Sequence, residues 1–145
     1  MNDGPCRILF VTDGFEVGGA QRALLDLLTH MGGARYRRIL FSTGVEGPLT
    51  AAYHAAAERV VSIPKRRPFD FALIPALADL VRRERPQLIV SVLFYADVMA
   101  GMANLVNRIP IVSWQHVLPS RDVKNNRPRH RLAYRLVHPR FTRVV

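Results

Sequence analysis

ILFVTDGFEVGGAQRALLDLL, residues 8–28, is the stretch that decides the fold. Arg7–Thr12 is a short apolar run rich in strand-favouring residues. It ends in Asp13-Gly14 and, four residues on, the pair Gly18-Gly19. From Ala20 to Met31 the spacing becomes helical, with Leu24, Leu27, Leu28 and Met31 one to two turns apart on a single face. Gly32-Gly33 stops that helix. Strand, glycine loop and helix in this order are the opening unit of a parallel α/β sheet.

The alternation continues outward. Arg38–Ser42 is a second strand, and Gly47-Pro48 opens a second helix near Leu49–Glu58, because proline suits a helix's first turn. Arg59–Ile63 is a third strand, closed by Pro64. After the basic loop Lys65–Pro68 comes a third helix, Phe69–Arg85, with Leu73, Leu77, Leu80 and Val81 on one face and Pro86 at its end. Gln87–Val92 is a fourth strand. Ala96–Val106 is a helix of small residues (Ala100, Gly101, Ala103) suited to close packing on a sheet. Pro110–Trp114, a basic helix near Arg127–Val137 and a strand at Phe141–Val145 complete the series. Apolar runs of this length between helices predict strands covered on both faces. The expected fold is α/β, a Rossmann-like, doubly wound, mainly parallel six-stranded sheet. The sequence ends inside a strand, which reads as the first half of something longer.

Composition sets the frame for this reading. With 145 residues, 49% of them hydrophobic and 22% charged, the chain is one globular domain rather than a disordered segment. A single cysteine, Cys6, excludes a disulfide framework and a cysteine-rich metal site. Cys6 precedes the first strand and shows no basic partner placed to activate it, so it is not expected to be a nucleophile. Met1–Pro5 lacks the basic and apolar regions of a secretion signal, and the apolar run Gln87–Ala96 meets Asp97 well short of a membrane span. The expectation is a cytoplasmic protein.

The net charge of +10 is lopsided. Residues 108–145 hold nine basic side chains and one acidic, so the excess is a local patch. It is either a solvated arginine-rich face or a surface for a phosphorylated ligand or an anionic membrane. In the basic helix, Arg129, Arg131 and Arg135 alternate with Leu132, Tyr134, Leu136 and Val137. That pattern suits arginines reaching outward from a core face, or peripheral binding at the inner face of a membrane. No nucleic-acid reader motif accompanies the charge, so nucleic acid is not the expected partner.

Ligands of open α/β sheets sit beyond the carboxyl ends of the strands, so the loop after the first strand is the first candidate site. Gly18-Gly19 before a helix either serves chain geometry alone or lets a phosphate approach the free N–H groups of the helix start. The loop is neither Gly-x-Gly-x-x-Gly nor a P-loop, which argues against a nicotinamide dinucleotide and a Walker-type nucleotide site.

With Gly-Gly-Ala-Gln-Arg placed after strand one, the chain resembles the N-terminal, acceptor-side domain of glycosyltransferase family 4, which has the GT-B fold. The resemblance is carried by residues 8–28, by GPLTAAYHAAAERVVSIP (47–64), by FALIPALADLVRRERPQLIVSVLFYADVMAGMANLV (71–106) and by IPIVSWQH (109–116). It implies transfer of a sugar from a nucleotide-sugar donor to a glycan or lipid-linked acceptor, with retention and without a metal or other cofactor. It also implies a C-terminal donor-binding domain, supplied in the same chain or by a partner, without which this domain is inactive. Gly18 and Gly19 would meet the donor diphosphate. His116 would approach the transferred sugar and acceptor; its alternative is a polar residue that merely ends a strand. Tyr95 and Asp97 follow the fourth strand and would face the cleft as acceptor contacts, although Asp97 at a helix start reads more readily as an N-cap. Asp13 and Glu16 either hydrogen-bond a sugar or shape the loop. Ser120, Arg121 and Lys124, in the loop after His116, would receive a phosphorylated or lipid-linked acceptor. His30, His54, His130 and His138 carry no assigned role.

Overall fold

The apolar run at the amino end becomes the centre of a sheet. Strand β1 (Cys6–Thr12) is hydrogen-bonded in parallel to β2 (Tyr36–Ser42) on one side and to β4 (Leu88–Val92) on the other. This arrangement comes from a computed structural model of the chain, which describes residues 4–116 and 128–145. Beyond β2 lies β3 (Arg59–Ser62), and beyond β4 lie β5 (Ile111–Trp114) and the short β6 (Arg143–Val144). The order is β3-β2-β1-β4-β5-β6, and every neighbouring pair is parallel. The expected mainly parallel sheet is therefore wholly parallel.

Alternating side chains supply two cores. Leu9, Val11, Ile39, Phe41, Ile89 and Ile111 pack on one face against α3 (Leu73–Glu84) and α4 (Phe94–Ala103). Ile8, Phe10 and Leu40 pack on the other against α1 (Gly19–His30) and α2 (Thr50–Ala56). Every second strand residue thus goes to the opposite layer, as the pleat requires. The fifth helix, α5 (Pro128–Val137), packs on α4 and ends in a 3-10 turn at His138–Arg140 that no sequence signal announced.

The helices differ from the sequence expectation in instructive ways. In α1, Leu24 and Leu28 are fully buried but Leu27 is 36% exposed, so the apolar stripe is narrower than its spacing suggests. Helix α3 begins at Leu73 rather than Phe69. The Asp70 carboxylate accepts the Arg66 N–H at 2.9 Å and holds the preceding residues in a loop. Arg85, at φ 47, closes α3 with a left-handed residue before Pro86. Helix α4 begins two residues earlier than expected and ends three earlier. Its end is fixed by the Asn104 side chain, which accepts the Ile109 N–H and donates to the Ile109 carbonyl oxygen. The small residues of α4 do pack closely, with Gly101 against α5. A Cβ on Gly101 would come 2.7 Å from the Val137 Cβ.

Candidate functional site

The strand order reverses between β1 and β4, whose further neighbours run outward in opposite directions. The loops leaving the carboxyl ends of these two strands frame the place where such sheets take their ligands.

The loop after β1 is pinned from below. Phe15 is fully buried, with its ring 5.4 Å from that of Tyr53, and its carbonyl oxygen accepts the Leu49 N–H at 3.2 Å. The loop after β2 presses against it through two glycines. A Cβ on Gly44 would lie 2.6 Å from the Asp13 carbonyl oxygen, and one on Gly47 would lie 2.7 Å from that of Phe15. Real Cβ contacts are not this short, so both positions need glycine for the approach. Gly19 differs: a Cβ there would meet nothing within 4 Å, and the residue faces open space. Gly18 is extended and caps α1 without a side-chain hydrogen bond, and the first turn holds no acidic residue. The leading N–H groups of α1 thus lack side-chain partners and present the positive end of the helix. Glu16 and Val17 are exposed beside them.

Burial raises the pKa of Asp13, at the carboxyl end of β1; the charge of Lys65 offsets this in part, and Glu16 adds slightly to it. The Lys65 ammonium lies 4.5 Å from the Tyr95 ring centroid, a cation–π distance. Lys65, from the loop after β3, therefore reaches over to the start of α4. The elbow between β4 and α4 is Leu93, at φ 72 and ψ 166. A side chain there is strained by about 1–3 kcal/mol, and such strain tends to gather at functional sites.

Two residues expected to face a cleft do not. Tyr95 is buried; its hydroxyl accepts the Asp70 N–H at 3.1 Å, and burial raises its pKa. Asp97 has no exposed surface at all, which removes it from direct contact with an acceptor in this arrangement. Nor does it cap: the N-cap of α4 is Leu93, with no side-chain cap bond, and Asp97 lies a full turn inside the helix. Its carboxylate instead accepts from three donors: the Ser91 hydroxyl on β4, the Ser113 hydroxyl on β5 at 2.7 Å, and the Gln115 side-chain amide. Burial pushes its pKa up to about 7, and the three hydrogen bonds limit the rise. The signal for this cluster was in the sequence. Ser91 and Ser113 are polar residues two places after Ile89 and Ile111, on the same buried face of two otherwise apolar strands.

His116 stands exposed just past β5, its ring 5.0 Å from that of Trp114. Glu16, Gly18 and His116 thus lie on loops at the carboxyl edge of the sheet and Gly19 opens α1 there, with Tyr95 and Asp97 beneath that edge. Ser120, Arg121 and Lys124 lie outside the described residues. Among the described residues no three His, Cys, Asp or Glu side chains are grouped so as to hold a metal ion. Among them, too, no helix is long and apolar enough to cross a membrane.

The sequence matches Glycosyltransferase Family 4 over residues 17–145. Among solved structures, Anabaena HepE in complex with UDP superposes with a TM-score of 0.72 at 17% identity, over 95% of this chain and 36% of that one. The lipopolysaccharide outer core galactosyltransferase WaaB, in its apo form, gives 0.65 at 10% identity, over 90% of this chain and 37% of that one. The chain thus spans little more than a third of the length of either. A Vibrio parahaemolyticus protein of unknown function gives 0.53 at 10% identity and is covered over 94% of its own length. No curated protein matches the chain.

Proposed function

The chain belongs to glycosyltransferase family 4, and from that premise we propose that it is the acceptor-side half of a GT-B enzyme. In this reading the enzyme transfers a sugar from a nucleotide-sugar donor to a glycan or lipid-linked acceptor, with retention and without a metal. The observation that carries the reading is the family match over 17–145, which includes the glycine pair at the reversal point of the sheet.

The chemistry follows from the edge described above. As the glycosidic bond to the donor breaks, negative charge develops on the departing diphosphate. The uncapped N–H groups of α1 at Gly18 and Gly19 are fixed donors for that charge, and fixed donors need no reorganisation as it grows. The open space at Gly19 admits a phosphate oxygen to the backbone. His116 would face the transferred sugar and the acceptor hydroxyl from the neighbouring loop. Glu16 is an exposed carboxylate available to acceptor hydroxyls, and Arg121 would be the cation for a phosphorylated acceptor. Tyr95 and Asp97 act from beneath this edge rather than on the acceptor itself. A second, donor-binding domain would close the cleft and expel water. Peripheral contact of the exposed Arg129, Arg131, Arg135, Leu132 and Leu136 of α5 with anionic lipid would bring a lipid-linked acceptor to it. Weaker binding to anionic liposomes after all three arginines become Ala would bear this out; unchanged binding would refute it.

The test is a transfer assay over a panel of UDP- and GDP-sugars, with the chain alone and with the chain joined to a family 4 donor-binding domain. Transfer only in the joined protein is the expected result. His116→Ala should then lower it by about 100-fold or more while leaving the fold intact by circular dichroism. Absence of transfer in both, with no nucleotide-sugar binding by calorimetry, favours a second reading: a free-standing, non-catalytic Rossmann-like binding module. What supports this second reading is the Vibrio protein, in which the same fold accounts for 94% of the chain.

A further inference from the structure

We propose that Asp97 is a positioning residue for His116: its buried carboxylate grips the Gln115 side chain and thereby sets the direction in which the next residue leaves the sheet. The inference rests on His116 being the working residue of the carboxyl edge, but its geometry can be read without any transfer reaction.

A carboxylate with no exposed surface is expensive to keep, because the interior solvates charge poorly. Among the described residues the cost is met by hydroxyls and an amide rather than by a cation. Two of these donors, Ser91 and Ser113, lie within strands already held by the β4–β5 ladder. Gln115 lies beyond that ladder, where the strand is giving way to the loop. Its side-chain amide donates to Asp97 and, at 3.0 Å, to the Ser113 hydroxyl, while its backbone N–H donates to the Val145 carbonyl oxygen at 2.8 Å. Asp97 thus carries the order of the sheet one residue past its last ladder pair.

Alternation then fixes the neighbours. Gln115 points toward the layer of α4, so Trp114 and His116 point the other way. Trp114 packs with the core beneath α1 and α2, and His116 lies against it. The face to which His116 is turned is therefore the face that carries α1 and its glycine pair. If the grip on Gln115 were lost, the backbone at residue 115 would keep, among the described residues, its N–H bond to the Val145 carbonyl oxygen, and His116 would be free to rotate away.

The chain contains one tryptophan, so the His116 contact has an unambiguous spectroscopic signature. The Trp114 ring current displaces the NMR signals of the His116 ring protons. In Gln115→Ala and Asp97→Asn, that displacement should collapse toward the value of a free histidine. Amide exchange at residue 115 should rise about tenfold or more, while exchange in β1 and α1 stays unchanged. A change merely in overall stability would move all of these amides together. If Asp97→Asn does not fold, Gln115→Ala decides alone, since its side chain lies at the edge of the cluster. Retained ring shifts and retained exchange in Gln115→Ala would overturn the proposal. Loss of the ring contact without any transfer activity in the parent protein would uphold it and count only against the enzymatic reading.

Discussion

The two ends of this sheet treat charge in opposite ways. At the amino edge, carboxylates meet guanidinium groups. Glu84, at the end of α3, pairs with Arg37 of β2 at 3.0 Å and with Arg59 of β3. Glu58 binds the Arg38 backbone N–H at 2.7 Å and its guanidinium at 2.6 Å, and Arg38 also reaches the Leu28 carbonyl oxygen. At the carboxyl edge, the partners of Asp97 among the described residues are neutral donors, and Asp13 is raised by burial against partial relief from Lys65. One edge satisfies its charges within the fold. The other keeps acids whose titration is displaced upward by burial, the condition expected where a ligand or a reaction is to be met.

This contrast makes the pH dependence of stability the sharpest way to test it. Asp97 is pushed up to about 7 in the folded chain, against an ordinary carboxyl value of 3.8. Between those values the folded chain holds a proton that the unfolded chain has released, so stability falls as pH rises from 4 to 7 and levels off above. The full span corresponds to about 4 kcal/mol at most. Asp97→Asn should remove this slope in urea unfolding at pH 4.5, 6 and 7.5. The titratable group facing Asp97 from α5 is the Tyr134 hydroxyl, whose pKa burial raises further, so it stays neutral over this range. An unchanged slope in Asp97→Asn would break the comparison.

Sterics provide the next largest effect. Gly44→Ala should destabilise the chain by about 1–3 kcal/mol, because the added carbon meets the Asp13–Gly14 backbone rather than a yielding side chain. Gly19→Ala should leave the melting temperature within a few degrees of the parent's, since its Cβ enters open space. In the joined enzyme Gly19→Ala should nonetheless weaken donor binding. That pairing of a stable fold with a weaker ligand separates a loop kept for geometry from one kept for a diphosphate.

The smallest effect belongs to the amino edge. The Arg38 partner holds the Glu58 carboxyl below its usual value, mainly through their side-chain hydrogen bonds. Its contribution is present above the unfolded carboxylate pKa and is lost as pH falls through the lower folded value. This is the reverse of the Asp97 slope. Glu58 is 40% exposed, so solvent screening limits the effect to about 1 kcal/mol or less. Glu58→Gln should remove this small acid-side loss and leave the slope between pH 4 and 7 unaltered.

Much of the fold was legible because its strands are short apolar runs punctuated by glycine and proline. The β1 run, the Gly32-Gly33 stop and the Arg85-Pro86 break all signal locally. What stayed hidden depends on particular side-chain contacts and backbone turns rather than on apolar periodicity. The late start of α3 follows from Asp70 taking the Arg66 N–H, and the early start of α4 follows from the Leu93 elbow. Asp97 misled for the same reason. Beside a helix start it resembles a cap, and only the pairing of β4 with β5 brings Ser91 and Ser113 to it. The glycine loop was readable as a loop, but its anchorage through Phe15, Gly44 and Gly47 needed the third dimension.

The contact of Gly101 with Val137 has a mechanical consequence. Where a side chain would have acted as a cushion, α4 and α5 meet backbone to branched carbon, so one helix cannot shift toward the other without moving it. The outer, arginine-bearing helix and the inner helix that carries Asp97 therefore travel as one lever. A surface that presses α5 inward presses at the same time on the helix from which His116 is aimed.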